Sequence, residues 1–206
     1  MKAPSLKKIS ITACLSFLLP VMTMAAVWFR RGVYPFGDES LLILDLNGQY
    51  VSYYAALRRF LLGDGSLLYS WSRTLGGEMM GTAAYYLLSP YNLILLFFSE
   101  LHITEAILTI TLAKIGSAGA AMYFCLRRRD ASREQALLLS LCYSLSAYQI
   151  VQAMNPMWID GVILAPLLLW AIELLVTHQK WIPMFWILWL SFVTNYYIGY
   201  MLSIFA

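Results

Sequence analysis

Long apolar stretches constrain this chain more than any other feature; they lie at about 9–29, 103–126, 136–154, 161–176 and 181–205. A helix needs roughly 20 mainly apolar residues to cross a bilayer. Of the 206 residues, 61% are hydrophobic and only 12% are charged, against about 25% charged in soluble domains. Too few polar side chains remain to cover a water-facing surface. That excludes a soluble globular protein, a disordered chain and a coiled coil. The expected fold is all-α: a polytopic transmembrane helical bundle of about five spans, with 1–206 as the N-terminal part of one transmembrane domain. The chain stops inside the apolar run Leu202-Ser203-Ile204-Phe205-Ala206, so a longer protein is expected.

Charge placement sets the expected topology. Lys2, Lys7 and Lys8 precede the first run. A cleaved signal peptide ending near Met24-Ala25-Ala26 is the alternative to an anchor, but the apolar stretch is too long for a typical signal core. Pro20 is tolerable within a spanning helix because neighbouring helices can satisfy the freed backbone group. Arg127, Arg128, Arg129, Arg133 and Lys180 should lie with the N-terminal lysines on the cytoplasmic side. This parity holds only if 85–98, fourteen residues broken by Ser89-Pro90, is re-entrant or interfacial. Residues 30–102 then form one long external loop, and Asn155–Asp160 a short second one.

Loops of that length in compact folds are usually functional. At about 100° per residue, Tyr50, Tyr53, Leu57, Phe60 and Leu61 share one face of an amphipathic helix. Asp45, Gln49, Ser52, Ala56 and Arg59 line the other, an arrangement suited to the membrane surface. Asp45 follows Leu41–Leu44, near low-dielectric surroundings that suit a general base; equally, aspartate makes a good helix cap. Asp38-Glu39 reads as solvated loop charge. Arg58 and Arg59 could hold a lipid-linked phosphate or snorkel to ordinary headgroups. Gly76-Gly77 permits tight turns, but no GKS/T ending supports a nucleotide loop. Lys114 lies mid-span, where a cation is costly and faces a bundle interior; Glu105, Glu173 and a lipid phosphate are its candidate partners. Asn155 and Asp160 fall on the side of Asp45, with Asp160 a cap for the fourth span or a second acid. Tyr196 and Tyr197, beside Asn195, could line the same cavity.

Cys14, Cys125 and Cys142 sit in apolar sequence without CxxC spacing and read as packing residues. His102 and His178 lie near span ends. A divalent metal therefore has no supporting ligand spacing, no cofactor is expected, and nothing points to nucleic acid.

Several ordered motifs resemble one family. These are Leu44-Asp45-Leu46-Asn47-Gly48-Gln49-Tyr50, Tyr69-Ser70-Trp71-Ser72, Leu75-Gly76-Gly77-Glu78-Met79, Tyr85-Tyr86-Leu87-Leu88-Ser89-Pro90-Tyr91-Asn92, Asn155-Pro156-Met157-Trp158-Ile159-Asp160 and Tyr196-Tyr197-Ile198-Gly199-Tyr200-Met201. Together they look like the start of bacterial YfhO family membrane proteins, from about residue 36 onward. The resemblance implies a GT-C-type glycosyltransferase in the bacterial cell membrane, with an acidic residue in a large first external loop. Its donor would be a polyprenyl-phosphate-linked sugar and its acceptor a cell-envelope polymer such as lipoteichoic acid. Family members have many more spans and a C-terminal external region, so a piece this short is expected to be inactive alone. On this reading Asp45 deprotonates the acceptor, Gln49 orients it, and Arg58, Arg59 or Lys114 stabilises the leaving phosphate. The rival readings are a transporter or lipid flippase using Lys114, Glu173 and Asp160, and a non-catalytic scaffold. No internal repeat of the transporter kind is visible.

Overall fold

A computed structural model describes residues 11–71 and 75–206. Lys2, Lys7, Lys8, Ser72 and Arg73 lie outside the described residues, as does the start of the first expected span.

Helix α1 (Ile11–Arg30) is apolar throughout, with Pro20 inside it. Ser16, Pro20, Met24 and Trp28 are its buried residues. Their spacing of four places them in one stripe, and Leu18, Met22, Val27 and Phe29 are left exposed for lipid. That stripe packs on α4 (Ile103–Arg128). The two helices are antiparallel: Thr12 Oγ1 and Tyr123 OH meet at 2.6 Å at one end, and Met24 and Trp28 cluster with Leu108 and Ile115 toward the other. Close approach is possible because a Cβ on Gly116 would lie 2.7 Å from Val21, and one on Gly119 would run into the Ser16 carbonyl. Small residues at such seams are how membrane helices bring their backbones together.

Two more helical units complete the bundle. The first is α5 (Arg133–Ser144), opened by a Ser132/Gln135 capping box, and α6 (Ala147–Val151). With the 3₁₀ turn Gln152–Met154 that continues α6, they cover the expected 136–154 span, but as a pair bent by 41°. The other is α7 (Pro156–His178). It begins earlier than the expected 161–176 because Pro156 suits a first helical position, where no intrahelical N–H is needed. Asp160 therefore lies one turn inside the helix and does not cap it, and Asn155 occupies the cap position. Among the described residues three helices are long and apolar enough to cross a membrane, four if the bent pair is one span.

The expected fifth span, 181–205, is not one helix. It comprises α8 (Ile182–Thr194) and α9 (Tyr196–Phe205), about 20 and 15 Å long at 1.5 Å per residue. Asn195 between them is extended (φ −163°, ψ 106°). Its side-chain oxygen caps α9 by accepting from Ile198 N, and its amide donates to the Tyr85 carbonyl at 2.9 Å. An apolar pattern cannot announce a break made by one tertiary hydrogen bond.

The long loop is folded against the bundle. A π-helical turn, Leu46–Tyr50, runs into α2 (Val51–Leu61). A short hairpin follows, β1 (Tyr69–Ser70) and β2 (Gly77–Glu78), with Tyr69 opposite Glu78. One helical turn, α3 (Met80–Thr82), leads to a π-helical turn Ala83–Leu87 and a 3₁₀ helix Pro90–Phe97. Leu46, Tyr50, Tyr54 and Leu57 are buried against Leu87, Leu95, Ile103, Ile107 and Met157. The tyrosines expected at headgroup level are thus partly inside the protein. The buried stripe includes Tyr54, one turn on from Tyr50, and Phe60 at its edge is left exposed.

Candidate functional site

Residues 83–92 organise the candidate site. Pro90 pushes Ser89 into an extended conformation (ψ 132°), as expected before proline, and so ends the preceding turn. Ser89 Oγ then donates to Asp160 Oδ1 at 2.9 Å inside the protein. Asp160 Oδ2 accepts from Lys114 Nζ at 2.8 Å, and the same ammonium donates to the Pro156 carbonyl at 2.8 Å. Lys114 also lies 5.7 Å from the centre of the Tyr91 ring. Exposure is 0% for Lys114 and 3% for Asp160. A buried pair persists only when its remaining hydrogen-bonding capacity is also met, and Ser89 and Pro156 supply that here. Of the partners expected for Lys114, Glu105 instead meets Tyr34 and His102, and Glu173 pairs with Arg129 at 2.9 Å.

Two residues earlier in this segment than Leu88, Tyr86 reaches the loop. Its hydroxyl donates to Gln49 Oε1 at 2.7 Å, and Gln49 Nε2 donates to Asp45 Oδ1 at 3.2 Å. Burial, the rings of Tyr53 and Tyr85, and the Asp45 carboxylate push the Tyr86 hydroxyl above its ordinary value. It therefore remains a donor at neutral pH. Asp45 heads the Leu46–Tyr50 turn without a side-chain capping bond. Its carboxylate is exposed, so the surroundings expected from the Leu41–Leu44 run are more aqueous than the sequence suggested. Leu44, just before it, has φ +46°, a left-handed conformation rare for a bulky residue. Such local strain costs about 1–3 kcal/mol and concentrates at functional sites.

Tyr85 carries the connection to the last helices. Its ring lies 4.8 Å from Tyr86, 5.5 Å from Tyr196 and 6.4 Å from Tyr197, centre to centre. Asp45, Gln49, Tyr196 and Tyr197 thus meet across Tyr85 and Tyr86. Lys114 and Asp160 anchor the same segment from below.

The other expected residues stand apart. Arg58 Nε donates to the Phe98 carbonyl at 2.6 Å, and Arg59 pairs with Glu100 at 3.2 Å. Both tie α2 to the approach to α4. Asn155 is buried and its amide donates to Gln152 Oε1 at 3.0 Å. Asp38 and Glu39 are exposed. Among the described residues no group of three His, Cys, Asp or Glu stands close enough to hold a metal ion. The sequence marks Tyr85, Tyr86 and Ser89 as part of a re-entrant or interfacial segment and of a family motif, but not as site residues. Their signal was a cluster of polar and aromatic residues in a segment too short to cross.

Comparison with known proteins gives one match. The family described as bacterial membrane protein YfhO matches residues 16–206, which takes in the helices, the loop and the Lys114–Asp160 pair. No curated protein and no solved structure matches the chain. With the match extending from the first helix to the last, this chain belongs to the YfhO family of bacterial membrane proteins.

Proposed function

We propose that the chain forms part of a GT-C-type membrane glycosyltransferase. It moves a sugar from a polyprenyl-phosphate carrier to a cell-envelope polymer, such as lipoteichoic acid, on the outer face of the membrane. Asp45 takes the proton of an acceptor hydroxyl. The acceptor oxygen then bonds to the anomeric carbon as the bond to the phosphate oxygen breaks, and the carrier leaves as polyprenyl phosphate. Gln49, held by Tyr86, fixes the carboxylate that receives the proton. Arg58 and Arg59 lie roughly 20 Å along the same helical segment from Asp45, too far to meet the leaving phosphate there; held by the Phe98 carbonyl and Glu100, they brace α2. Lys114 and Asp160 act at one remove, by pinning the segment that carries Tyr86. Asn155 supports the start of α7, and Tyr196 and Tyr197 wall the site.

The observation that carries this reading is the Asp45–Gln49–Tyr86 chain: an open carboxylate, free of capping duty and oriented from behind, follows a strained residue. A transport pathway receives less support, because Glu173 is engaged by Arg129 far from Lys114 in sequence and does not extend the buried pair.

The test is sugar transfer in membranes containing the full-length protein, with a radiolabelled polyprenyl-phosphate sugar as donor. Asp45→Asn keeps shape and hydrogen bonding but removes the base, and should reduce transfer by about 10²–10⁴-fold. Equal transfer by both proteins would remove the catalytic assignment.

A further inference from the structure

The end of α2 opposite Asp45 holds a cavity that the transfer reaction does not use. The C-terminal turn of α2, the connection after it, β1 and Met79 border an open cavity of about 440 Å³. Arg59, Asp64, Ser66, Tyr69, Trp71 and Met79 are among its lining residues. Trp71 is 81% exposed, yet it is not loose: its ring meets the Tyr69 ring edge-on at 5.1 Å. Gly76, at φ +96°, makes room for both, since a Cβ there would run into the Tyr69 hydroxyl and lie 3.2 Å from the Trp71 ring. The sequence thus holds a large aromatic face open beside a cavity with polar walls.

The charges around this cavity decide what it suits. Arg59 is already paired with Glu100. Asp64 adds a carboxylate that, among the described residues, has neither an ion-pair nor a hydrogen-bond partner. Among the described residues one cation thus faces two anions, a setting that disfavours a phosphate. An apolar chain would leave Asp64 desolvated and unpaired, which is costly. A neutral sugar ring satisfies both parts of the wall. Its C–H face packs on the indole, and its hydroxyls donate to the carboxylate in charge-assisted hydrogen bonds.

We propose that this cavity binds a neutral saccharide unit, with Trp71 as the stacking face and Asp64 as the hydroxyl acceptor. Its role as a docking site for the sugar part of the acceptor, and not for a phosphate-bearing backbone, rests on the transferase reading above. Asp45 and Arg59 lie on one continuous helical segment, roughly 20 Å apart at 1.5 Å per residue. A polymer held here would extend along α2 toward the proposed base.

Saturation-transfer NMR on the full-length protein in a deuterated, sugar-free detergent tests this directly. The probes are the methyl glycosides of glucose, galactose and N-acetylglucosamine, each with and without inorganic phosphate. At least one glycoside should receive saturation on its C–H protons, and phosphate should leave that signal unchanged. Trp71→Ala and Asp64→Asn, both at exposed positions, should each weaken binding by about tenfold. Three results would overturn the proposal: no transfer to any glycoside, unchanged transfer in both variants, or displacement by phosphate. If glycoside binding fails while Asp45→Asn still abolishes sugar transfer, the saccharide site falls and the transferase reading stands. If binding behaves as stated but Asp45→Asn transfers normally, the opposite holds.

Discussion

An ammonium and a carboxylate taken out of water each lose several kcal/mol of hydration, and their mutual attraction recovers this only with good geometry and further hydrogen bonds. Lys114 and Asp160 have both, through the Ser89 hydroxyl and the Pro156 carbonyl. The consequence is asymmetric. Lys114→Met leaves Asp160 buried without its cation, and Asp160→Leu does the same to Lys114; each should destabilise the protein by about 3–5 kcal/mol. Removing both charges together, as Lys114→Met with Asp160→Leu, should restore more than half of that loss, because no unpaired charge remains. Thermal unfolding of the purified full-length protein in detergent, followed by loss of the monodisperse peak, reads the order of midpoints. A double variant no more stable than the singles would show that the pair's mutual compensation is not what holds the 83–92 segment. Ser89→Ala should give a smaller loss, about 1.5–3 kcal/mol, the range for a hydrogen bond to a charged group.

Packing between elements turns on the α1–α4 seam. Lipid tails are as apolar as leucine, so these helices associate through close contact, and Gly119 sets that distance against the Ser16 backbone. Backbone cannot rotate aside as a side chain can. Gly119→Leu should therefore force α1 outward and lower the unfolding midpoint by the equivalent of about 1–3 kcal/mol or more. Leu138→Ala, on an exposed face of α5, should leave it nearly unchanged; equal effects would refute the seam. Such elements were legible to different degrees in the sequence. The spans at α1, α4 and α7 follow from uninterrupted apolar length, and the short 85–98 segment from Ser89-Pro90 and its length. The division of 181–205 was not legible, because Asn195 sits in apolar sequence and its decisive partner, the Tyr85 carbonyl, is 110 residues away. Tyr54, by contrast, lies one turn on from Tyr50 and only about 40° from it on a 100° wheel, so its place in the buried stripe was legible although the expected face omits it.

At the scale of the whole molecule, one end carries the 127–133 arginines and Lys180, and the other the folded loop with Arg30, Arg31, Arg58 and Arg59. Thr12 meets Tyr123, Arg128 lies over Phe124 and Trp170, and Arg129 pairs with Glu173. The start of α1 and the C-terminal ends of α4 and α7 therefore share one end. Asp45, Tyr86 and Asn195 are linked near the other. The sequence supplied individual site residues, Asp45, Lys114, Asp160, Tyr196 and Tyr197, but not their pairings. Those run through Tyr85, Tyr86 and Ser89 over separations of 37 to 110 residues, which no local pattern encodes. Basic residues gather in short cytoplasmic loops, so the 127–133 end should be inside and the loop end outside. Single-cysteine variants decide this, in a background with Cys14, Cys125 and Cys142 replaced by alanine. Asp38→Cys reports on the loop end and Lys180→Cys on the 127–133 end; both positions are exposed. A membrane-impermeant maleimide should label Asp38→Cys on intact cells and Lys180→Cys only after permeabilisation. Labelling in the reverse order would put Asp45 in the cytoplasm, where an acceptor on the outer face of the membrane could not reach it, and the proposed reaction would lose its substrate.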